Sequence, residues 1–525
     1  DPVYTALKPT PSDYLNPILA GFYPDPSVAR AGDAYYLVTS SFAYYPGVPI
    51  FRSKDLVHWT QIGNVLTRPT QLPLDSAGVS RGIFAPTIRY HDGTFYMITT
   101  LVDRGGNFIV TTKNPAGPWS DPIWLRDVDG IDPSLFFDDD GRAYVLYNGP
   151  PPGTPLYNGH RAIWIQEYDI AAQRMKGPRT LLVNGGVDLA KKPIWIEAPH
   201  LFKIAGKYLL ICAEGGTADQ HSEVVFRGDT PTGPFTPYAG NPILTQRHLG
   251  EAYPFAITST GHADFVQTPA GDWWAVFLGT RPYTTDTYNI GRETFLMPVR
   301  WENGWPTITS GTEKVPYMAK RPSLPLDRAP VPTGGNFTVR DEFNGPSLAP
   351  YWTFIRTVHE SWYDFTSSPG SLTIQARPEA IDGRGQPSFI GRRQQHSNAT
   401  VSTSVRFLPE KAGDEAGLVA FQNEMFHYVL AVARAVDTTV VQLEMRAGPR
   451  VRDSVVARVP VKLDAARPVF LRIDARDGRY DFFYGQRAGS WIPLARDVDG
   501  AILSTKRAGG FVGTLFGMYA VAAPR

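Results

Sequence analysis

The sequence predicts an all-β protein in two parts, a five-bladed β-propeller followed by a β-sandwich. Two observations carry this. A strand–turn–strand unit recurs five times before residue 320, and after a proline-rich stretch the pattern changes to short alternating strands. The near-absence of 3.6-residue hydrophobic periodicity points the same way.

Composition sets the outer bounds. The 525 residues include 51 Lys and Arg against 50 Asp and Glu, a formal net charge of +1, which gives no electrostatic footprint for nucleic acid or an anionic membrane. No run approaches the roughly 18 apolar residues of a membrane span. Hydrophobic residues make up 42% of the chain, ample for large cores, and the single Cys212 can form neither an internal disulfide nor a zinc site of paired thiols. The start at Asp1-Pro2 rather than Met reads as a processed chain, so a periplasmic or secreted location is expected, with a cytoplasmic one left open.

The first strands of the repeated unit are Pro26–Val28, Pro86–Ile88, Pro133–Phe136, Pro199–Phe202 and Ala263–Val266. Each is followed, across a turn at Asp33, Gly93, Gly141, Gly206 or Gly271, by an aromatic and β-branched strand: Tyr35–Val38, Phe95–Ile98, Tyr144–Tyr147, Tyr208–Ile211 and Trp273–Val276. The turns recur at the interval expected for one four-stranded propeller blade. A sandwich of unrelated hairpins is the alternative, and the likeness of the five entries counts against it. Asp138-Asp139-Asp140-Gly141 reads as an exposed hairpin turn.

One register of the repeat concentrates chemistry. The residue preceding each first strand is Asp25, Ala85, Asp132, Ala198 (with Glu197 beside it) and His262. If each hairpin opens nearest the propeller axis, these positions converge at one end of the channel. Asp25-Pro26 and Asp132-Pro133 also read as turn residues and His262 as a core histidine. Glu197, between Ile196 and Ala198, has no turn role. Three converging carboxylates match glycosidic bond cleavage, which needs one protonated carboxyl and one ionised carboxylate; the third can hold the acid protonated. Phe42, Tyr44, Tyr45, Phe84 and Trp195 could offer flat faces to a sugar ring, or pack in blade cores.

Tyr23-Pro24-Asp25-Pro26-Ser27, Ile131-Asp132-Pro133-Ser134-Leu135-Phe136, Glu197-Ala198-Pro199-His200 and Gly261-His262-Ala263-Asp264 together resemble glycoside hydrolase family 43, in particular its β-xylosidase and α-L-arabinofuranosidase members with a C-terminal β-sandwich. The resemblance spans essentially the whole chain. It implies a five-bladed propeller, a concanavalin-like sandwich and an inverting mechanism, with Asp25 as general base, Glu197 as general acid and Asp132 tuning the acid. Inversion sets base and acid about 6.5–9.5 Å apart. It also implies that Arg292, in Gly291-Arg292-Glu293-Thr294, contacts the sugar, and that His262 could touch a structural Ca2+ in the channel. No cofactor is expected for the chemistry. Phe84, in Gly82-Ile83-Phe84-Ala85-Pro86, stands where compared xylosidases carry Trp, so the substrate wall is expected to differ. The loop 149–161, after the third-blade strand, is expected near Asp132.

The domains read as 1–321 (propeller), 322–335 (a Pro- and Gly-rich linker) and 336–525 (sandwich). Sandwich strands are expected at Ser371–Ile374, Ala399–Phe407, Val440–Met445 and Phe470–Asp474. The second domain is expected to pack on the propeller, with a loop from Gly509 to Met518 reaching the site. The expected function is exo-acting release of α-L-arabinofuranose, with β-D-xylose as companion, from xylan or arabinoxylan fragments. Alternatives are a pure β-xylosidase, an endo-acting arabinanase or xylanase, and a non-catalytic carbohydrate-binding protein. Oligomeric state is not legible.

Overall fold

In a computed structural model, which describes residues 1–249, 255–449, 454–464 and 467–523, each of the five hairpins becomes the inner half of an antiparallel sheet. The inner strands are Ser27–Ala31, Ile83–His91, Ile131–Phe137, Glu197–Ile204 and Thr258–Gln267. They pair with Ala34–Val38, Thr94–Leu101, Ala143–Gly149, Lys207–Glu214 and Trp273–Thr280. Two further strands complete each blade, and the fourth blade adds Leu244–Thr245. Inner strands pack side by side in chain order, and the fifth returns to the first, closing a ring around a channel. The chain is therefore a five-bladed propeller over its first part.

The hairpin turns need left-handed backbone, which glycine adopts without a Cβ penalty. Gly93, Gly141, Gly206 and Gly271 supply it, and in the first hairpin the residue with positive φ is Gly32 rather than Asp33. Neighbouring blades share apolar cores. Ile88, Phe95 and Met97 meet Val38, Ile50 and Val65 between blades one and two, and Val266, Trp274 and Val276 meet Tyr35, Phe51 and Trp59 between blades five and one. Both faces of every sheet are thus covered, which explains why the inner strands are apolar runs rather than alternating ones.

Two polar clasps hold the ring. On the axis, buried Asp264 accepts from Ser27 Oγ (2.6 Å), the Val28 amide (3.1 Å) and Arg89 Nη1 (2.8 Å), and Arg89 Nη2 lies 2.8 Å from His200 Nδ1. Blades one, two, four and five are joined through this one carboxylate. At the closure, Asp13–Leu15 pairs with Met318–Lys320, and buried Asn16 bridges to Leu296 through both its oxygen (2.9 Å) and its nitrogen (3.0 Å). Asp138 corrects the reading of an exposed turn: it is buried, accepting from Tyr208 OH at 2.6 Å and Lys203 Nζ at 2.9 Å, and so ties blade three to blade four.

Residues 321–335 run along the propeller surface, where the Lys54 amide donates to Asp327 at 2.8 Å and the Ala20 amide to Thr333 O at 2.7 Å. The second part is a sandwich. Strands Asn398–Val405, Val469–Arg476, Arg479–Gly485 and Ile492–Asp499 form one sheet; its partner has eight strands. Leu418, Tyr428 and Leu443 from the larger sheet meet Leu471, Ile473 and Phe482 from the smaller in a shared core. Ser371–Ile374 joins neither sheet; Thr373–Ile374 instead forms a two-stranded ribbon with Tyr363–Asp364, because strand pattern alone does not identify the pairing partner.

The last strand of the eight-stranded sheet comes from the propeller. Phe354 pairs with Tyr45 and Ile355 with Tyr44, so one ladder of backbone hydrogen bonds crosses the domain boundary. Tyr44 and Tyr45 are consequently buried structural residues rather than sugar platforms. Phe354, 5% exposed, packs there with Trp362 at 5.6 Å and Tyr363 at 5.4 Å. Phe354→Ala is expected to cost about 3–5 kcal/mol by leaving a cavity in this seam, measured as a fall in the denaturation midpoint; an unchanged midpoint would show that the two parts are not coupled there.

Candidate active site

The backbone explains how five separate strands deliver side chains to one place. Asp25 (φ 54°), Ala85 (φ 27°), Asp132 (φ 52°), Ala198 (φ 51°) and His262 (φ 55°) are all left-handed. These are the five equivalent positions identified in the sequence. In blades two to five the inner strand also bulges at this point, between Phe84 and Thr87, Ile131 and Ser134, Glu197 and His200, and Gly261 and Asp264. A non-glycine residue there costs about 1–3 kcal/mol and concentrates at functional sites. Such kinks interrupt the pleat and re-aim the side chain.

Asp25 is buried and fully engaged. Arg292 Nη1 donates to its Oδ1 at 2.8 Å, Ser40 Oγ donates to its Oδ2 at 2.6 Å, and His262 Nδ1 lies 3.7 Å from Oδ1. Burial alone would raise its pKa, but Arg292, His262 and the Ser40 hydroxyl outweigh that and hold the carboxyl below the usual range. Asp132 is pushed up to about 6, by burial first and by the charge of Asp25, despite His262 and the Ala198 amide that donates to it. Glu197 is raised well above an ordinary glutamate by burial and by Asp132 and Asp25, against the pull of Arg292 and Arg161. The three carboxyls therefore feel one another within one buried cluster, with displacements of opposite sign.

One wall of the cluster is aromatic. Phe42 is buried in the core like Tyr44, so it backs the wall rather than offering its own face to a sugar: it lies 5.0 Å from Phe84, and both meet Phe511, at 6.2 Å stacked and 5.8 Å edge-on. Phe511 belongs to the sandwich, in the loop expected to reach this place. The Arg292 guanidinium lies 5.7 Å from its ring centroid, while Arg292 Nε has no hydrogen-bond partner in the protein. Gly513 permits the approach, since a Cβ there would stand 2.5 Å from Ile290 O. The Phe511 amide donates to Ser80 Oγ at 3.1 Å, which fixes the loop.

Trp195 is not part of this wall. It is 42% exposed on the rim two residues before Glu197, with its amide donating to Gly159 O at 3.0 Å. That contact does place the 149–161 loop beside the acid cluster, as does Arg161, whose Nε donates to Asn148 Oδ1 at 2.7 Å. His262 adjoins Asp25, and His221 Nε2, Glu223 Oε1 and Thr260 Oγ1 lie buried nearby without protein partners. Among the described residues no group of three or more His, Cys, Asp or Glu side chains could hold a metal ion. A Ca2+ at His262 would therefore draw most of its shell from water.

Sequence reasoning missed Ser40, Arg161 and Glu293. Glu293 receives Arg281 at 2.6 and 2.9 Å and the Gly21 amide at 2.7 Å, so it positions the segment leading to Asp25. Its adjacency to Arg292 was the available signal. Ser40 carried none, because a serine at a strand end has many uses.

A propeller that gathers three buried carboxyls of opposed acidity beside an aromatic wall is a glycoside hydrolase. The chain belongs to glycosyl hydrolases family 43, whose profile matches residues 14–306, and residues 340–524 match the β-xylosidase C-terminal concanavalin A-like domain. It is 41% identical over 509 residues to a xylosidase/arabinosidase of Butyrivibrio fibrisolvens, covering 96% of this chain and 95% of that one. A non-reducing end α-L-arabinofuranosidase of Bacteroides ovatus is 38% identical, covering 97% and 91%. Among solved structures, a GH43_12 protein from a capybara gut metagenome superposes with a TM-score of 0.90 at 41% identity, covering 99% of this chain and 97% of that one.

Ser40 Oγ also accepts from the Ala85 amide at 2.7 Å, so one hydroxyl joins the kinks of two blades to Asp25. Ser40→Ala removes a donor to an ionised group, worth about 1.5–3 kcal/mol, and the acid limb of the pH–activity profile is expected to move up by about one pH unit or more. An unmoved limb would show that Ser40 does not tune Asp25.

Proposed function

We propose that this chain is an exo-acting, inverting glycosidase that removes terminal pentoses from xylan- or arabinoxylan-derived saccharides, α-L-arabinofuranose foremost and β-D-xylose as a companion. The observation that carries the reading is the opposed acidity inside one buried cluster: Arg292, His262 and Ser40 draw Asp25 below the ordinary carboxylate range, while burial, Asp132 and Asp25 push Glu197 well above it. In this reading Asp25 takes a proton from water as it attacks the anomeric carbon, and Glu197 donates its proton to the departing glycosidic oxygen. Asp132, close to both, keeps Glu197 protonated until the bond breaks. Arg292 holds Asp25 with its fork, and its unpartnered Nε is a donor suited to a sugar hydroxyl.

Exo action is supported by the sandwich loop, which sets Phe511 against one side of the cluster and leaves less room for a chain to run through. Arabinose is favoured by the name of the Bacteroides ovatus relative and by Phe84, which presents a smaller face than tryptophan, and the companion xylosidase activity by the name of the Butyrivibrio fibrisolvens relative. The runner-up is a pure β-xylosidase, favoured by the likeness to a xylan β-1,4-xylosidase of Bacillus halodurans, with a TM-score of 0.85 at 32% identity over 97% of this chain and 96% of that one. Hydrolysis rates on p-nitrophenyl α-L-arabinofuranoside and β-D-xylopyranoside separate the two readings.

Two outcomes test the mechanism. Glu197→Gln is expected to lower kcat at least about a hundredfold on a natural saccharide, whose leaving group needs protonation, and far less on a dinitrophenyl pentoside; equal losses would remove Glu197 from the acid role. Proton NMR should show the inverted anomer first, and initial appearance of the retained anomer would sink the role given to Asp25. Activity should rise with pH as Asp25 ionises, below the ordinary aspartate range, and fall only as Glu197 loses its proton, above the ordinary glutamate range.

A further inference from the structure

We infer that a cavity on the propeller face opposite the carboxyl cluster is a second saccharide site, which holds a neutral stretch of xylan backbone far from the scissile bond. The choice of saccharide rests on the proposed function, whereas the site rests on the cavity itself. Its volume is about 390 Å³, and its walls include Tyr238, Trp301, Glu302, Thr307, Thr309 and Ser310. That size lies within the roughly 300–1,000 Å³ of small-molecule sites.

The strands fix how far it lies from the chemistry. Strand Glu293–Glu302 starts next to Arg292, at the carboxyl cluster, and ends in the cavity wall with Arg300, Trp301 and Glu302. At about 3.3 Å per residue, the extended stretch from Arg292 to Trp301 spans roughly 30 Å. Blade four runs the same way, from Ser222 beside His221 to Phe226 and Arg227, where Thr236–Pro237 pairs and leads into Tyr238. The cavity therefore sits between the outer strands of blades four and five, at the end of the propeller away from the acids. All of its walls belong to the propeller.

The walls suit a neutral sugar. Trp305 covers one side of Tyr238 (4.9 Å between centroids, 23° between planes), and Arg227 lies 4.2 Å from the Trp305 ring centroid. The tyrosine is thus held in a three-layer stack, a platform already ordered before a ligand arrives. A Cβ on Gly240 would stand 2.6 Å from that ring, so glycine gives it room. Trp301 meets Trp273 edge-on at 6.0 Å, and its buried Nε1 has no partner in the protein. A buried donor left unpaired is costly, and a sugar oxygen would satisfy it. Arg300 is met by Glu313, Nη1 to Oε1 at 3.0 Å, and donates to Ser310 Oγ at 3.2 Å. Among the described residues Glu302 forms no ion pair, so the uncompensated charge in the wall is negative. That favours a neutral saccharide over a uronate-bearing one. The carboxylate, the Thr307 and Ser310 hydroxyls and the indole N–H match the mixed donors and acceptors of xylose.

The test reads binding without turnover, as retardation of the full-length Glu197→Gln variant in native gels containing soluble neutral arabinoxylan. Adding Tyr238→Ala is expected to weaken the apparent affinity at least about fivefold by removing the platform. Adding Trp301→Phe instead is expected to weaken it at least about threefold through the lost donor. The phenylalanine keeps a ring against Trp273, so this variant decides the matter even where Tyr238→Ala disturbs folding. Affinity that stays within about twofold in Trp301→Phe, or no retardation of Glu197→Gln to begin with, overturns the assignment. Failure of the proposed function itself would look different, as a wild-type chain that cleaves neither p-nitrophenyl pentoside.

Discussion

The site depends on one backbone constraint, the left-handed kink repeated at the opening of all five inner strands. Asp25, Ala85, Asp132, Ala198 and His262 adopt a conformation that L-residues avoid, and each does so where its strand meets the channel. The propeller makes this tolerable: inner strands are packed on both faces, Asp264 clasps four of them, and the Asn16 bridge closes the ring. Local strain of about 1–3 kcal/mol per position persists when the surroundings over-determine it. Asp25, Asp132 and His262 occupy three of the kinks, and alanine fills the other two, with Glu197 beside Ala198.

The electrostatics follow from that placement. Three carboxyls buried in one space cannot all ionise readily, so their pKa values separate according to who holds which partner. Arg292 and Ser40 belong to Asp25, leaving Asp132 and Glu197 to share the cost of burial. The arginine that contacts Asp25 is itself placed by Glu293 and Arg281 in the next layer, and by the close approach of Gly291 to Gly513. Acidity at the centre is thus linked to the docking of the second domain. The sandwich is more than an appendage, because its sheet takes Tyr44–Tyr45 as an edge strand and its loop delivers Phe511.

Much of this was legible in the chain. The five hairpins, their common register and the carboxylates at that register could be read because each is local: a turn, a short apolar run and the residue before it. Family motifs gave the same residues and Arg292. Other expectations missed for physical reasons. Asp138 reads as a turn residue because it neighbours Asp139, Asp140 and Gly141, yet Lys203 and Tyr208 from the next blade bury it. Trp195 sits close to Glu197 in sequence but is exposed on the rim, and its own left-handed backbone (φ 46°) turns the chain before buried Ile196 and Glu197.

By itself the sequence determined the repeat, the change of pattern after the prolines and the identity of the acids, because strand period, turn chemistry and side-chain type are properties of short segments. Only the tertiary structure supplies the physical cause of the split in acidity, with Asp25 drawn below the ordinary carboxylate range and Glu197 pushed above it. That distinction lies in partners 15 and 267 residues from Asp25, Ser40 and Arg292, and in burial that no local pattern records. It also decided that a phenylalanine from the far end of the chain would wall the site. A contact between residues 42 and 511 exists only once two domains have folded and docked.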